Sequence, residues 1–236
     1  MIELNSVMTV ELIRHTADDR GVVQAAQVST KGEASRTYDI SNEKVEGLIS
    51  YLMKNRHGSP FEHNTMTFFI RAPIFVFREF HRHRIGWSYN EESARYTKLR
   101  PTFYIPDQTR NLVQTGKPGH YEFVSGSRNQ YLNTLDALKS SYQQAYECYE
   151  YLLETGIARE VARACLPVAI YSSMYATCNA RSLMSFLSLR TKNPDSAFPS
   201  YPQREIEMVA EQMEKEWERL MPITHKAFTA NRRVAP

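Results

Sequence analysis

Residues 77–96 read FREFHRHRIGWSYNEESARY. This stretch carries four arginines, two histidines and three glutamates. It continues the apolar run Ile74-Phe75-Val76-Phe77, so the charges are tethered to a segment that buries. A half-buried charge needs an opposite charge, hydrogen bonds or a ligand that supplies them. The stretch therefore reads either as a binding or catalytic site or as a structural ion-pair network. With Pro73 at its start and Gly86 as its breaker, residues 74–84 read as a helix. That puts Arg78 and Arg82 on one face and Glu79 and His83 on the next. Ser88-Tyr89-Asn90 has turn character, and Arg95 lies beyond a polar loop. Guanidinium forks suit phosphate, while glutamates suit hydroxyls and ring N–H groups. Together they suggest a nucleotide.

Arg82-His83-Arg84, followed by Asn90-Glu91-Glu92-Ser93-Ala94-Arg95-Tyr96, resembles the signature of the flavin-dependent thymidylate synthases. Those enzymes methylate dUMP using FAD, reduced pyridine nucleotide and methylenetetrahydrofolate. Eight residues separate Arg84 from Ser93, one more than in the family pattern. The extra residue falls in Gly86-Trp87. The resemblance implies that Arg82, His83 and Arg84 hold FAD. It also implies that Glu91, Glu92, Ser93, Ala94 and Arg95 form a dUMP-binding loop, with Arg82 and Glu91 shared between the two ligands. Glu79 stands where the family has glutamine and is a further dUMP candidate.

On the N-terminal side, 8–15 alternates as a strand does, and 22–28 reads as a short helix ending near Ser29. Residues 30–39 read as a polar loop. Ser41 or Asn42 caps a helix whose apolar residues are Val45, Leu48, Ile49, Leu52 and Met53, with Gly58 as its stop. His57 to His63 reads as a turn into a strand, with Met66, Phe68 and Ile70 on one face and Thr65, Thr67 and Phe69 on the other. By itself Glu62-His63 reads as a strand start with exposed polar groups. The segment Pro60-Phe61-Glu62-His63 is similar to one that lies beside the flavin in the same family. That implies FAD roles for Ser59 and Glu62, and on weaker grounds for Ser29.

On the C-terminal side, 95–99 and 103–105 read as a strand or hairpin, and 106–120 as a loop with a Lys-Pro-Gly turn. The longest helix spans 128–154. Its stripe of Tyr131, Leu135, Leu138, Tyr142, Ala145, Tyr149 and Leu152 has the heptad spacing of a helix packed along another element. Residues 157–166 form a second helix, in which Arg163 reads as a snorkelling surface arginine. The resemblance instead gives Arg163 to dUMP. After a strand over 169–177, Asn179 begins a helix to Arg190. One face carries Arg181, Ser185 and Ser188, another Leu183, Leu187 and Arg190. From the pattern alone Arg190 points to water or caps the last carbonyls.

Asn179-Ala180-Arg181 through Leu189-Arg190 is the second block of the resemblance. It implies that Asn179 and Arg181 hold FAD and that Arg190 is the catalytic residue, polarising the uracil ring. Ser185 stands where the family has asparagine, a flavin-site position. The loop 191–201 lacks the family's Asp-Ser-His-Ala-Gln segment. Ser200 and Gln203 form a capping-box pair ahead of a helix carrying Ile206, Val209, Ala210, Met213, Trp217 and Leu220. Residues 231–236 read as a frayed tail.

A chain of 236 residues, 42% hydrophobic and 23% charged, has the composition of a globular protein of one large or two small domains. A net charge of +3 is too small to argue for a nucleic-acid or membrane surface. A rival reading as an RNA-binding module, from the basic run 81–84 and the many Tyr and Phe residues, lacks any RNP-like aromatic strand. A metalloenzyme using His57, His63, His81 and His83 is a second rival. On a helix, however, His81 and His83 lie about 200° apart. Cys148, Cys165 and Cys178 have no paired spacing, which argues against a disulfide framework or zinc site and for a reducing cytosol. Cys165 and Cys178 are flanked by apolar or β-branched residues with no adjacent base, so no thiol nucleophile is expected. The resemblance implies an α+β fold, a mixed or antiparallel sheet packed with helices, in one domain spanning 1–236. It further implies a cytoplasmic homotetramer with sites between subunits, and NADPH and 5,10-methylenetetrahydrofolate as co-substrates. No metal is expected.

Overall fold

The computed structural model describes residues 1–37, 40–117 and 120–236. In chain order the strands and α-helices are β1 (Glu3–Asn5), β2 (Thr9–His15), α1 (Asp19–Lys31), α2 (Asn42–Lys54), β3 (Met66–Pro73), α3 (Ile74–Phe80), β4 (Trp87–Glu91), β5 (Thr102–Tyr104), β6 (Val113–Lys117), β7 (His120–Val124), α4 (Arg128–Glu154), α5 (Arg159–Ala162), β8 (Tyr171–Cys178), α6 (Ala180–Arg190), α7 (Arg204–Leu220) and α8 (Pro222–Ala230). Short 3-10 helices cover Gly32–Arg36, Ser59–Glu62 and Arg163–Cys165. The mixed α+β class expected from the sequence is the one observed. The chain divides into two compact units, each assembled from separate segments.

The first unit comprises Met1–Val7, Ala72–Phe75 and Glu92–Ser172. Its core is aromatic. Phe103 stacks on Tyr142 with ring centroids 4.9 Å apart, and the Tyr146 hydroxyl donates to the Leu99 carbonyl at 3.1 Å. Tyr142 and Tyr149 of the heptad stripe are buried, as is Tyr146, which the stripe omits. The span of α4 is the one read from the sequence. Ser127 and Gln130 close a capping box at its start.

Two expectations fail in this unit. Residues 95–99 are not a strand, because β5 pairs in parallel with the distant β1, Leu4 opposite Phe103. Residues 106–120 are not simply a loop. The β6–β7 hairpin forms there, pairing Val113 with Val124 and Gly116 with Tyr121. Pro118 and Gly119 of the expected turn lie outside the described residues.

The second unit comprises Met8–Arg71, Val76–Glu91 and Ser173–Pro236. Its four-stranded sheet has the order β2-β3-β8-β4, with β2 antiparallel to β3 and β4 antiparallel to β8. Met66, Phe68 and Ile70 are fully buried, and Thr67 on the opposite face joins its hydroxyl to that of Thr177 at 2.9 Å. Burying an apolar side chain of this size is worth about 1.5–3 kcal/mol. Val45, Ile49, Leu52 and Met53 of α2 are buried, as are Ile206, Val209, Ala210, Met213 and Trp217 of α7.

The helix after Pro73 stops at Phe80, four residues earlier than the sequence suggests. Arg82, His83 and Arg84 therefore lie on a turn rather than on helix faces. Ser88-Tyr89-Asn90 is strand rather than turn, because Trp87–Glu91 pairs with Cys178–Met174. The first helix runs three residues past Val28, to Lys31, and the 3-10 turn Gly32–Arg36 replaces half of the expected polar loop. Tyr38 and Asp39 lie outside the described residues. The helix α2 ends at Lys54, before Gly58. No capping box forms between Ser200 and Gln203. The Ser200 hydroxyl donates instead to the Leu189 carbonyl at 2.6 Å.

The tail is not frayed. Asp19, itself buried, caps α8 by accepting from the Ile223 and Thr224 amides at 2.9 Å. Beyond α8, the Arg232 carbonyl accepts from the Ala197 amide at 2.9 Å, and the Arg233 carbonyl accepts from the Ser188 hydroxyl at 2.6 Å.

Candidate active site

Within the second unit, the turn after α3 and the first residues of β4 face the N-terminus of α6 across a cleft of about 690 Å³. Asn179 caps α6, its side chain accepting from the Ser182 amide at 2.8 Å. Buried Asn64 accepts from the Ala180 amide at 2.9 Å and donates to the Phe61 carbonyl at 3.0 Å. One side chain thus fastens the 3-10 helix Ser59–Glu62 to the start of α6. The Ser182 hydroxyl donates to the Ile85 carbonyl at 2.9 Å, bonding the turn to the helix from the other side. Gly86 has φ +70°, and a Cβ there would lie 2.1 Å from Ser182 Oγ. Only glycine fits.

The cleft wall gathers Glu62, Arg82, His83, Arg84, Asn179, Arg181 and Ser185 from the sequence-derived set. Arg181 donates through Nη1 to Glu62 at 2.5 Å and through Nε to the Pro236 carbonyl at 2.7 Å. A Cβ on Gly58 would collide with this guanidinium at 2.5 Å. Arg82 and Arg84 are exposed and form no ion pair with a described residue. A helix N-terminus flanked by unneutralised guanidiniums is an anion site. Ile85, Gly86, Trp87 and Ser182 also line the cleft. Trp87 stacks on Tyr89 with centroids 5.7 Å apart, and the Tyr89 hydroxyl donates to the carbonyls of Phe80 and His83. The sequence marked Gly86 only as a breaker, and nothing in it signalled Trp87 or Ser182 as cleft residues.

Arg190 ends α6 and turns inward. Its side chain is 14% exposed and that of Glu79 22%. Its Nη1 donates to Glu79 Oε2 at 2.5 Å, its Nη2 to the Glu79 carbonyl at 3.3 Å, and its Nε to His83 Nε2 at 3.1 Å. His83 accepts only if that nitrogen is unprotonated. Burial and the neighbouring Arg190 charge push its pKa down to about 4, so the ring is neutral and its proton is assigned to Nδ1. Burial raises the Glu79 carboxyl, Arg190 opposes this, and Glu205 adds to the rise.

In the first unit, the Ser93 hydroxyl accepts from the Arg95 amide at 3.3 Å, and Ala94 is buried. Arg95 Nε donates to Glu160 at 3.0 Å, a pair more than half exposed. Arg163 lies exposed on the 3-10 turn after α5.

The chain matches the family model described as thymidylate synthase complementing protein over residues 11–223. It is 61% identical to a flavin-dependent thymidylate synthase of Streptomyces coelicolor, across 100% of this chain and 96% of that protein. The enzyme of the same name from Tropheryma whipplei, strain TW08/27, is 56% identical across 98% and 96%. The chain belongs to the flavin-dependent thymidylate synthase family. Its fold is that of a solved relative, the UMP/dUMP methylase PolB of Streptomyces cacaoi bound with 5-Br dUMP. The TM-score is 0.95 and the identity 57%, with complete coverage of both chains. PolB bound with 5-Br UMP matches at TM-score 0.92 and 55% identity, across 100% of this chain and 99% of that one.

Within this flavin-dependent thymidylate synthase fold, the remaining sequence-derived residues are not among those lining the cleft. Ser29 sits on α1, its hydroxyl bonded to the Ala26 carbonyl. Ser59 begins the 3-10 helix that carries Glu62. Glu91 ends β4 opposite Met174, and Glu92 follows it, exposed. Among the described residues, no three His, Cys, Asp or Glu side chains converge as a metal site would need.

Proposed function

We propose that this chain catalyses the reductive methylation of dUMP to dTMP. The carbon donor is 5,10-methylenetetrahydrofolate, and NADPH is the reductant, acting through FAD. The observation that carries the reading is the cleft at the α6 N-terminus, where Arg82 and Arg84, ion-paired with no described residue, stand beside Arg181. Such a donor set fits the diphosphate of FAD, and glycine at 86 leaves room for a close approach. Bound FAD supplies hydride transfer. Arg82, Arg84 and Arg181 would hold its diphosphate, with Asn179, Ser185 and Glu62 as further contacts. His83, being neutral, contributes a ring rather than a charge. Burial pushes the thiols of Cys165 and Cys178 up, which suits a mechanism without a cysteine nucleophile.

Arg95, Arg163 and the backbone around Ser93 take the dUMP phosphate and sugar, and Arg190 takes the uracil. The protein works as a cytoplasmic homotetramer whose sites are completed between subunits. No helix among the described residues is long and apolar enough to cross a membrane.

The direct test is a spectrum near 450 nm, with FAD identified after denaturation. Arg82→Ala is expected to purify largely colourless while keeping its fold by circular dichroism. A wild-type protein that stays colourless after incubation with FAD would sink the reading. For the nucleotide, Arg95→Ala should weaken dUMP binding by about 1.5–3 kcal/mol, the range of a charged hydrogen bond, with normal flavin content. The exposed Arg95–Glu160 pair is weak enough to give way to a phosphate. Calorimetric titration with dUMP checks this.

A second substrate, UMP, is favoured by the solved relative, which is described as a UMP/dUMP methylase and was captured with both 5-bromo nucleotides. Methylation of UMP in competition with dUMP decides it.

A further inference from the structure

The Arg190 guanidinium has five N–H groups. Three are committed, to Glu79 Oε2, the Glu79 carbonyl and His83 Nε2. One N–H on each terminal nitrogen is left, a fork aimed by the protein before any ligand arrives. The charged member of the set is Glu79. A glutamine at this position could make the same two hydrogen bonds. What the carboxylate adds is a full negative charge 2.5 Å from Nη1.

The charges facing Glu79 are Arg190 at the end of α6 and Glu205 at the start of α7. His83, on the turn after α3, is neutral. Glu205 is itself buried. Glu79 and Arg190 are thus paired in a half-buried setting, where charge interactions are screened less than at the surface.

We propose that Glu79 tunes Arg190. Its carboxylate positions the guanidinium and cancels part of the guanidinium field, so that Glu79 sets the pH at which a bound uracil ring ionises. This rests on the reading that Arg190 faces the uracil. An ionised ring is stabilised by the net field of the pair rather than by the guanidinium alone. Glu79 is a positioning residue here, acting on the substrate through Arg190.

The test uses flavin-loaded enzyme and 5-fluoro-dUMP, whose 19F shift reports N3 ionisation, titrated while bound. Glu79→Gln keeps an acceptor for Nη1 and removes the charge. It is expected to lower the ionisation pH of the bound ring by about one unit or more, a tenfold change. The acidic limb of the kcat profile should move the same way. Glu79→Asp withdraws the carboxylate by one methylene and should shift the ionisation in the same direction by less, which gives a second reading should the Gln variant fold poorly. A role limited to packing would leave the ionisation pH unmoved. If Arg190→Ala raises the ionisation pH while neither Glu79 variant moves it, the tuning role is overturned. If Arg190→Ala leaves it unchanged as well, Arg190 does not face the ring, and both this inference and that assignment fall.

Discussion

Arg190→Lys is expected to keep full flavin occupancy and lose most dUMP-dependent turnover, and Arg190→Ala to lose about 10²–10³-fold, as removal of one oxyanion donor does. To accept a carbon at C5, the uracil ring must develop negative charge spread over its N3–C4 edge. A cation stabilises that charge best when it is desolvated and already aimed. Arg190 is 14% exposed and held by three hydrogen bonds to Glu79 and His83. The surface or helix-capping role that its position suggests from sequence is therefore not what the fold provides. Lysine restores a point charge but cannot bond Glu79 and His83 together and still present two parallel N–H groups. The measurement is turnover at equal flavin content in the three proteins. Near-normal turnover in Arg190→Lys would move the search for the activating group to Arg163.

Arg233→Ala should cost about 3–5 kcal/mol of stability, the usual result of stripping one partner from a buried ion pair. Arg233 is 6% exposed and donates to both oxygens of Glu214 at 2.6 and 2.8 Å, and to Thr191 Oγ1 at 2.8 Å. His225 Nε2 lies 2.9 Å from the same carboxylate. Burial alone would raise Glu214, but hydrogen bonds from His225 and Arg233, with their charges, bring it down to about 2. A carboxyl depressed in the folded state stabilises the protein above its unfolded pKa of about 4.5 and loses that contribution as pH falls toward 2. At neutral pH the contribution is about 3 kcal/mol. Denaturant unfolding of the wild type should weaken steeply over that window. Glu214→Gln should be less stable at pH 7, with a flatter acid limb. Equal acid slopes would show that the network contributes nothing.

The sequence by itself determined the elements whose information is local. The span of α4 follows from a heptad stripe, and α2 and α7 from apolar residues three and four apart. The start of α6 follows from the capping chemistry of Asn179. Such periodicity reports one element against the core as a whole and needs no named partner. The residue types of the cleft were legible for the same reason, since guanidiniums and a glycine break belong to one short stretch and to the head of one helix.

The tertiary structure alone decided what depends on a partner far along the chain. Ser88-Tyr89-Asn90 is polar and turn-like until its backbone finds β8. The short β5 carries no pattern of its own and pairs with β1, about a hundred residues away. The tail 231–236 has the composition of a frayed end, yet Arg233 seats on Glu214. Arg190 extends an apolar face on a helical wheel. That it turns onto Glu79 and His83 depends on α3 stopping at Phe80, which frees the turn to fold back over α6. Helix endings and strand partners are set by competition among long-range contacts, whereas propensity and periodicity act within a turn or two of the chain.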